Sequence, residues 1–233
     1  MGFFKNLFLA PKSKDPISAL IKAISYSAHR TTQKLWPLRG MEGTELKKTI
    51  RSVTLAAADR ATQKLGPLEP VWIGLDAMEG EIKPEDFPCY EELLSELLYF
   101  YMHITLRLAH GQHFSEPEIK KLQHAVFPIL VEAAVEGPIG HWSEETKAKL
   151  KAEHYENIQS AEIEYASCKG ILPTDDQFVM GDTVYATLAR NIETRLEKSH
   201  DWELSHLIIS EVREQICAEE FPKLIAAARG KAL

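Results

Sequence analysis

Long apolar runs are missing from this chain. No stretch approaches the about 18 consecutive apolar residues that a membrane-spanning helix needs. Cysteine is scarce: Cys89, Cys168 and Cys217 are the only three, widely spaced and without a CxxC pair. That excludes a disulfide framework and points to a reducing, cytoplasmic compartment. Basic excess is also lacking. The 34 acidic residues outnumber the 27 basic ones, for a net charge of −7, which argues against a nucleic-acid partner. There is no GxxxxGK[ST] loop, no GxGxxG turn, no GxSxG elbow and no HExxH pair, so the familiar phosphate cradles, nucleophile elbow and zinc-protease pair are all missing. No residue stands out as catalytic and no bound cofactor is implied.

What remains is ordinary globular composition, 45% hydrophobic and 26% charged over 233 residues, enough to bury a core without staples. The most informative stretch is 89–110, CYEELLSELLYFYMHITLRLAH. At 3.6 residues per turn, Glu92, Glu96, Tyr99, His103, Arg107 and His110 fall within an arc of roughly 80°. Leucine, phenylalanine, tyrosine, methionine and isoleucine cover most of the remaining circumference. A helix apolar over so much of its surface belongs inside a bundle, with its polar stripe facing either water or a polar pocket.

Helix signals are dense elsewhere and strand signals nearly absent. Asp15-Pro16 reads as an N-cap with proline in the first helical position, opening a helix to about Leu35. Thr44 is the expected cap of a second helix, to about Leu65. Ser115 and Glu118 form a capping box around Pro117, starting a helix to about Glu136 with a kink at Pro128. Ser143 caps a charged helix reaching Cys168, and Thr183 caps the next. A last helical stretch runs from Asp201 toward Ala228, bent or interrupted at Pro222. The expected fold is therefore all-α: a bundle of seven or eight helices around 89–110, with an N-terminal helical hairpin. The expected division is an arm at 1–68, an irregular connection at 69–88 containing Pro70, Pro84 and Pro88, and a main bundle at 89–233.

One internal repeat is present. HRTTQKLWPL at 29–38 and DRATQKLGPL at 59–68 are aligned at a spacing of 30 residues. Lysine in the last turn and proline just beyond are helix-stop chemistry, but the Thr-Gln-Lys order is not required by it. With the small-residue patch Ala56–Ala58, the duplication suggests either an arm that binds a second copy of the chain or another protein, or an old local duplication with no present role.

Two other readings come from particular residues. On the charged helix, Leu150, His154, Ile158, Ala161, Tyr165 and Cys168 share a face, so His154 points inward. If that face meets the 89–110 stripe, Glu96, His103 and His154 are candidate ligands of one divalent metal. The competing expectation is a core network of histidines hydrogen-bonded to glutamate or tyrosine. The pairs Glu197/His200 and Glu203/His206 have Glu-x-x-His spacing, but along one helix they would be rotated by about 120° and would not converge. Phe3, Phe4, Leu7, Phe8 and Leu9 with Lys5, Lys12 and Lys14 suggest a short anchor on a membrane surface, or a helical turn docked on the protein itself.

The expected function is thus a non-enzymatic, cytosolic interaction or regulatory protein that self-associates. The alternatives are a helical metal-binding protein or metalloenzyme using that Glu/His site, and a peripheral membrane protein held by its N-terminal segment.

Overall fold

A computed structural model describes residues 15–62, 87–135, 143–170, 182–198 and 201–232. The 3–9 segment, most of the 69–88 connection, Trp72, Trp142 and His200 lie outside the described residues. Among those described are eight α-helices: α1 (Pro16–Leu35), α2 (Gly43–Thr62), α3 (Phe87–Gly111), α4 (Glu116–Val135), α5 (Glu144–Ala166), α6 (Val184–Arg195), α7 (Trp202–Ala218) and α8 (Phe221–Ala232). A short 3-10 turn, Trp36–Gly40, follows α1. The one extended pairing among these residues is an isolated bridge between Gly170 and Thr183. The protein is an all-α multi-helix bundle.

The helix starts follow from local side chains satisfying the free N–H groups of a first turn. Asp15 Oδ2 accepts from the Ser18 amide and the Ser18 hydroxyl, each at 2.8 Å. Glu118 Oε2 accepts from the Ser115 amide at 2.6 Å and its hydroxyl at 2.8 Å. Ser143 and Thr183 each accept from the amide three residues on, both at 3.2 Å. Asp201 Oδ1 accepts from the Glu203 amide at 2.8 Å. Thr44 does not cap α2. The helix starts ahead of it, with the Leu46 amide donating to the Glu42 carbonyl at 3.5 Å.

The helix stops use left-handed residues. After α3, His113 has φ 60°. Its amide donates to the His110 carbonyl at 2.9 Å, and the Phe114 amide donates to the Ala109 carbonyl at 3.1 Å, the paired bonds of a Schellman motif. Glu197 (φ 57°) closes α6 in the same way. Glu220 (φ 52°) separates α7 from α8, so the C-terminal stretch is two helices, broken two residues ahead of Pro222. Pro128, by contrast, sits inside α4 on its exposed side. There the carbonyl it leaves without an intrahelical donor can meet water.

The described residues form two compact units, each built from separate parts of the chain. The first takes those up to Ala28, those in Leu98–Ser167 and those from Glu219. The second takes those in His29–Leu97 and Cys168–Ala218. The helices α1 and α3 contribute to both. This division runs along different lines from a boundary at 69–88.

In the first unit α4 packs on α5 and on α8. Phe100 meets Tyr101 and Tyr165 edge to face, and Tyr101 lies against Phe221 with centroids 5.8 Å apart. Arg229 on α8 donates to both oxygens of Glu118, at 2.9 and 3.2 Å, and lies over the Phe114 ring. These bonds, with the Ser115 amide and hydroxyl, hold the Glu118 carboxyl down to about 2. In the second unit α7 packs on α6 and α2. Trp36 closes an edge, stacked T-shaped on Tyr90 under the Arg39 guanidinium. Lys198 donates to the Arg39 and Met41 carbonyls, both at 2.7 Å.

Candidate functional site

Every residue of α3 from Glu96 to Leu106 is buried. The polar stripe therefore does not face water along its middle, and only its ends, Glu92 and His110, are exposed. Burial of so many polar groups requires hydrogen-bond partners, and α3 finds them on two different helices.

In the first unit the partner is α5. The Tyr99 hydroxyl and His154 Nδ1 share a 2.7 Å hydrogen bond. One turn on, His103 Nδ1 lies 3.1 Å from Glu162 Oε1, and the His103 ring leans on Tyr165. One further turn on, Arg107 donates to the Tyr165 carbonyl at 3.0 Å and the Ala166 carbonyl at 3.5 Å. These carbonyls belong to the last turn of α5, where they lack intrahelical donors and carry the negative end of the helix dipole. The contacts advance together along both helices, so α3 and α5 run in the same direction.

The protonation pattern of His103 follows from Arg107. Arg107 Nε has a proton to give and no lone pair, and it lies 3.2 Å from His103 Nε2. His103 Nε2 must accept, so Nδ1 carries the proton and donates to Glu162. Burial pushes His154 below the ordinary imidazole value of 6.5, with the Glu153 charge working the other way.

In the second unit the stripe meets α6. Glu96 accepts from Asn191 Nδ2 at 3.0 Å, and Glu92 accepts from Arg195 at 2.9 Å. The three candidate metal ligands are thus each engaged by a different protein group: Glu96 by Asn191, His103 by Glu162 and Arg107, and His154 by Tyr99. Among the described residues no three His, Cys, Asp or Glu side chains gather as a metal site would require. His154 does face the 89–110 stripe, as its position on α5 implied, and what forms there is a hydrogen-bonded network. Of the Glu-x-x-His residues, Glu197 binds Arg39 at 2.6 Å and Glu203 binds Arg51 at 3.3 Å.

Sequence reasoning did not name Glu162 or Asn191. No local signal marks Glu162: it lies eight residues beyond His154, whereas Tyr99 and His103 are four apart on the facing helix. Nor did sequence reasoning name a second feature of α5. The inward face holds Leu150, His154, Ile158, Ala161 and Tyr165. At 100° per residue, Ala148, Ala152, Tyr155, Gln159, Ile163 and Ala166 form another stripe, centred roughly 140° away. All six are exposed, Ile163 at 75% and Tyr155 at 42%. From Ala152 to Ser167 the helix carries Glu153, Glu156, Glu162 and Glu164 and no lysine or arginine.

No family model, curated protein or solved structure matches the chain. Among the described residues, no helix is long and apolar enough to cross a membrane.

Proposed function

We propose that the chain is a non-enzymatic interaction or regulatory protein of the cytosol, which works by presenting helix faces to other proteins, a second copy of itself included. The observation that carries this reading is the outward stripe of α5. A helix needs one apolar face to join a bundle, and α5 has a second in solvent, with a tyrosine and an isoleucine exposed along it. Exposed aromatic and aliphatic side chains gathered on one helix face are the usual material of a protein contact. Further support comes from α2, which between Gly43 and Ser52 buries Ile50 and leaves most other side chains exposed. The cytosolic assignment rests on Cys89, Cys168 and Cys217, all free thiols.

The test is residue-resolved tyrosine labelling of the full chain, purified and inside the cells that make it. Tyr155 labelled in the purified chain but protected in cells supports the reading. Equal labelling in both overturns it for this face. Sedimentation across a wide concentration range then separates self-association from a different partner.

A further inference from the structure

Glu219 and Glu220 alone separate α7 from α8, and this joint is held against its own local preferences. Glu220 sits in the left-handed region at φ 52°, where a residue with a Cβ carries a steric cost. Phe221 opens α8 directly ahead of Pro222, and the proline ring disfavours helical geometry in the residue before it. An extended backbone at 220–221 relieves both. Such strain persists only where surrounding contacts impose it. Here they come from one place. Residues from Glu219 onward belong to the first compact unit, while α7 lies in the second. Phe221 lies against Tyr101, and Gln112 Nε2 donates to the Pro222 carbonyl at 2.8 Å. Arg229 donates to Glu118 and to the carbonyls of Gln112 and His113, at 3.4 and 3.2 Å, and lies over the Phe114 ring. Phe221, Ile225 and Ala228 are fully buried. The partners of Phe221, Pro222 and Arg229 all fall between Tyr101 and Glu118, at the α3–α4 corner. A second copy of the chain presents the same corner, and α8 docked there makes the same bonds with its joint extended.

We propose that α8 exchanges between two copies of this chain, each C-terminal helix seated on the α3–α4 corner of the other in a closed two-fold dimer. This rests on the self-association part of the reading above and names the element that carries it. Relief of the joint favours exchange. The proximity of a helix tethered to its own corner opposes it, with an effective concentration of about 1 mM for a short connection. The dimer therefore forms at high concentration, and only after α8 has detached.

The test is charge reversal at Glu118 and Arg229 in the full chain, read by sedimentation and by native mass spectrometry with one copy isotopically heavy. Glu118→Arg and Arg229→Glu each set like charges against each other within one copy. Exchange between the two variants gives every α8 an opposite charge. Their 1:1 mixture should therefore dimerise at least tenfold more tightly than either variant alone. The double variant carrying both changes keeps an opposite-charge pair, so it should fold and self-associate as the unaltered chain does. Those two chains should not exchange with each other, and mixed dimers should fall at least tenfold below their statistical share. A mixture of single variants no more dimeric than its components overturns the proposal. Free mixing of the unaltered chain with the double variant also overturns it, and leaves self-association standing through another face. An unaltered chain still monomeric at about 1 mM overturns it as well. If Tyr155 is then protected in cells, the interaction reading stands with a different partner.

Discussion

Arg107 holds His103 by its Nε2 nitrogen, at 3.2 Å, while reaching past it to the last carbonyls of α5. One guanidinium thus sets the imidazole tautomer and closes a helix end. Arg107→Met keeps the aliphatic stem and removes both functions. It leaves His103 Nε2 and the Tyr165 carbonyl, both in buried residues, without this donor. The expected cost is about 1–3 kcal/mol in denaturant unfolding. Lysine should not rescue it, since one ammonium cannot reproduce the planar fork. A loss within experimental error for either variant would mean the seam contributes little.

Burial lowers the pKa values of His29, His154 and His206 below 6.5. The unfolded chain then takes up protons first as the pH falls, so these groups stabilise the fold above pH 6.5 and that contribution is lost progressively below it. Glu211 and Glu91, held above the ordinary carboxyl value of 4.5 by burial, act in the opposite sense. Comparison with His154→Gln isolates one imidazole: its stability should vary less between pH 7 and pH 5 than that of the unaltered chain. In NMR titration His154 should have a midpoint under 6.5.

Lys34 and Glu211 form a buried ion pair in the second unit, joined by Gln215, which donates to Glu211 at 3.2 Å. Burial shifts both groups toward neutrality, lowering the lysine and raising the glutamate, while each opposes the shift in the other. Removing one partner leaves an uncompensated charge. Lys34→Met and Glu211→Leu should each cost about 3–5 kcal/mol, and the double variant clearly less than their sum. Additive losses in a double-mutant cycle would show that the two do not interact.

His113 occupies a left-handed conformation that glycine adopts without steric cost. His113→Gly should raise stability by about 1 kcal/mol, seen as a higher melting temperature. A decrease would show that the imidazole makes a contact worth more than the backbone strain.

The parts of this fold that could be read in the sequence are those decided within four residues. Asp15, Ser115 with Glu118, Ser143 and Thr183 cap helices because a short polar side chain before a first turn has one nearby use. That 89–110 is apolar over most of its circumference, and that His154 shares a face with apolar residues of α5, followed from periodicity alone; whether the polar stripe met water or protein did not. What was not legible depends on groups far apart in sequence. Glu162 lies 59 residues from His103, and nothing local distinguishes that glutamate from its neighbours on α5. Lys34 looked like a helix-stop residue, yet its ammonium reaches Glu211, 177 positions away. Glu220 as the break between α7 and α8 was hidden by Pro222, the louder signal beside it.

Because α1 and α3 each supply residues to both compact units, neither unit is a single continuous piece of chain. On the ribosome, the second cannot close until the residues before Glu219 have emerged, and the first must wait for those after it. The early helices are therefore made long before the residues that complete their units. No single cut yields a fragment that contains one unit whole and nothing of the other.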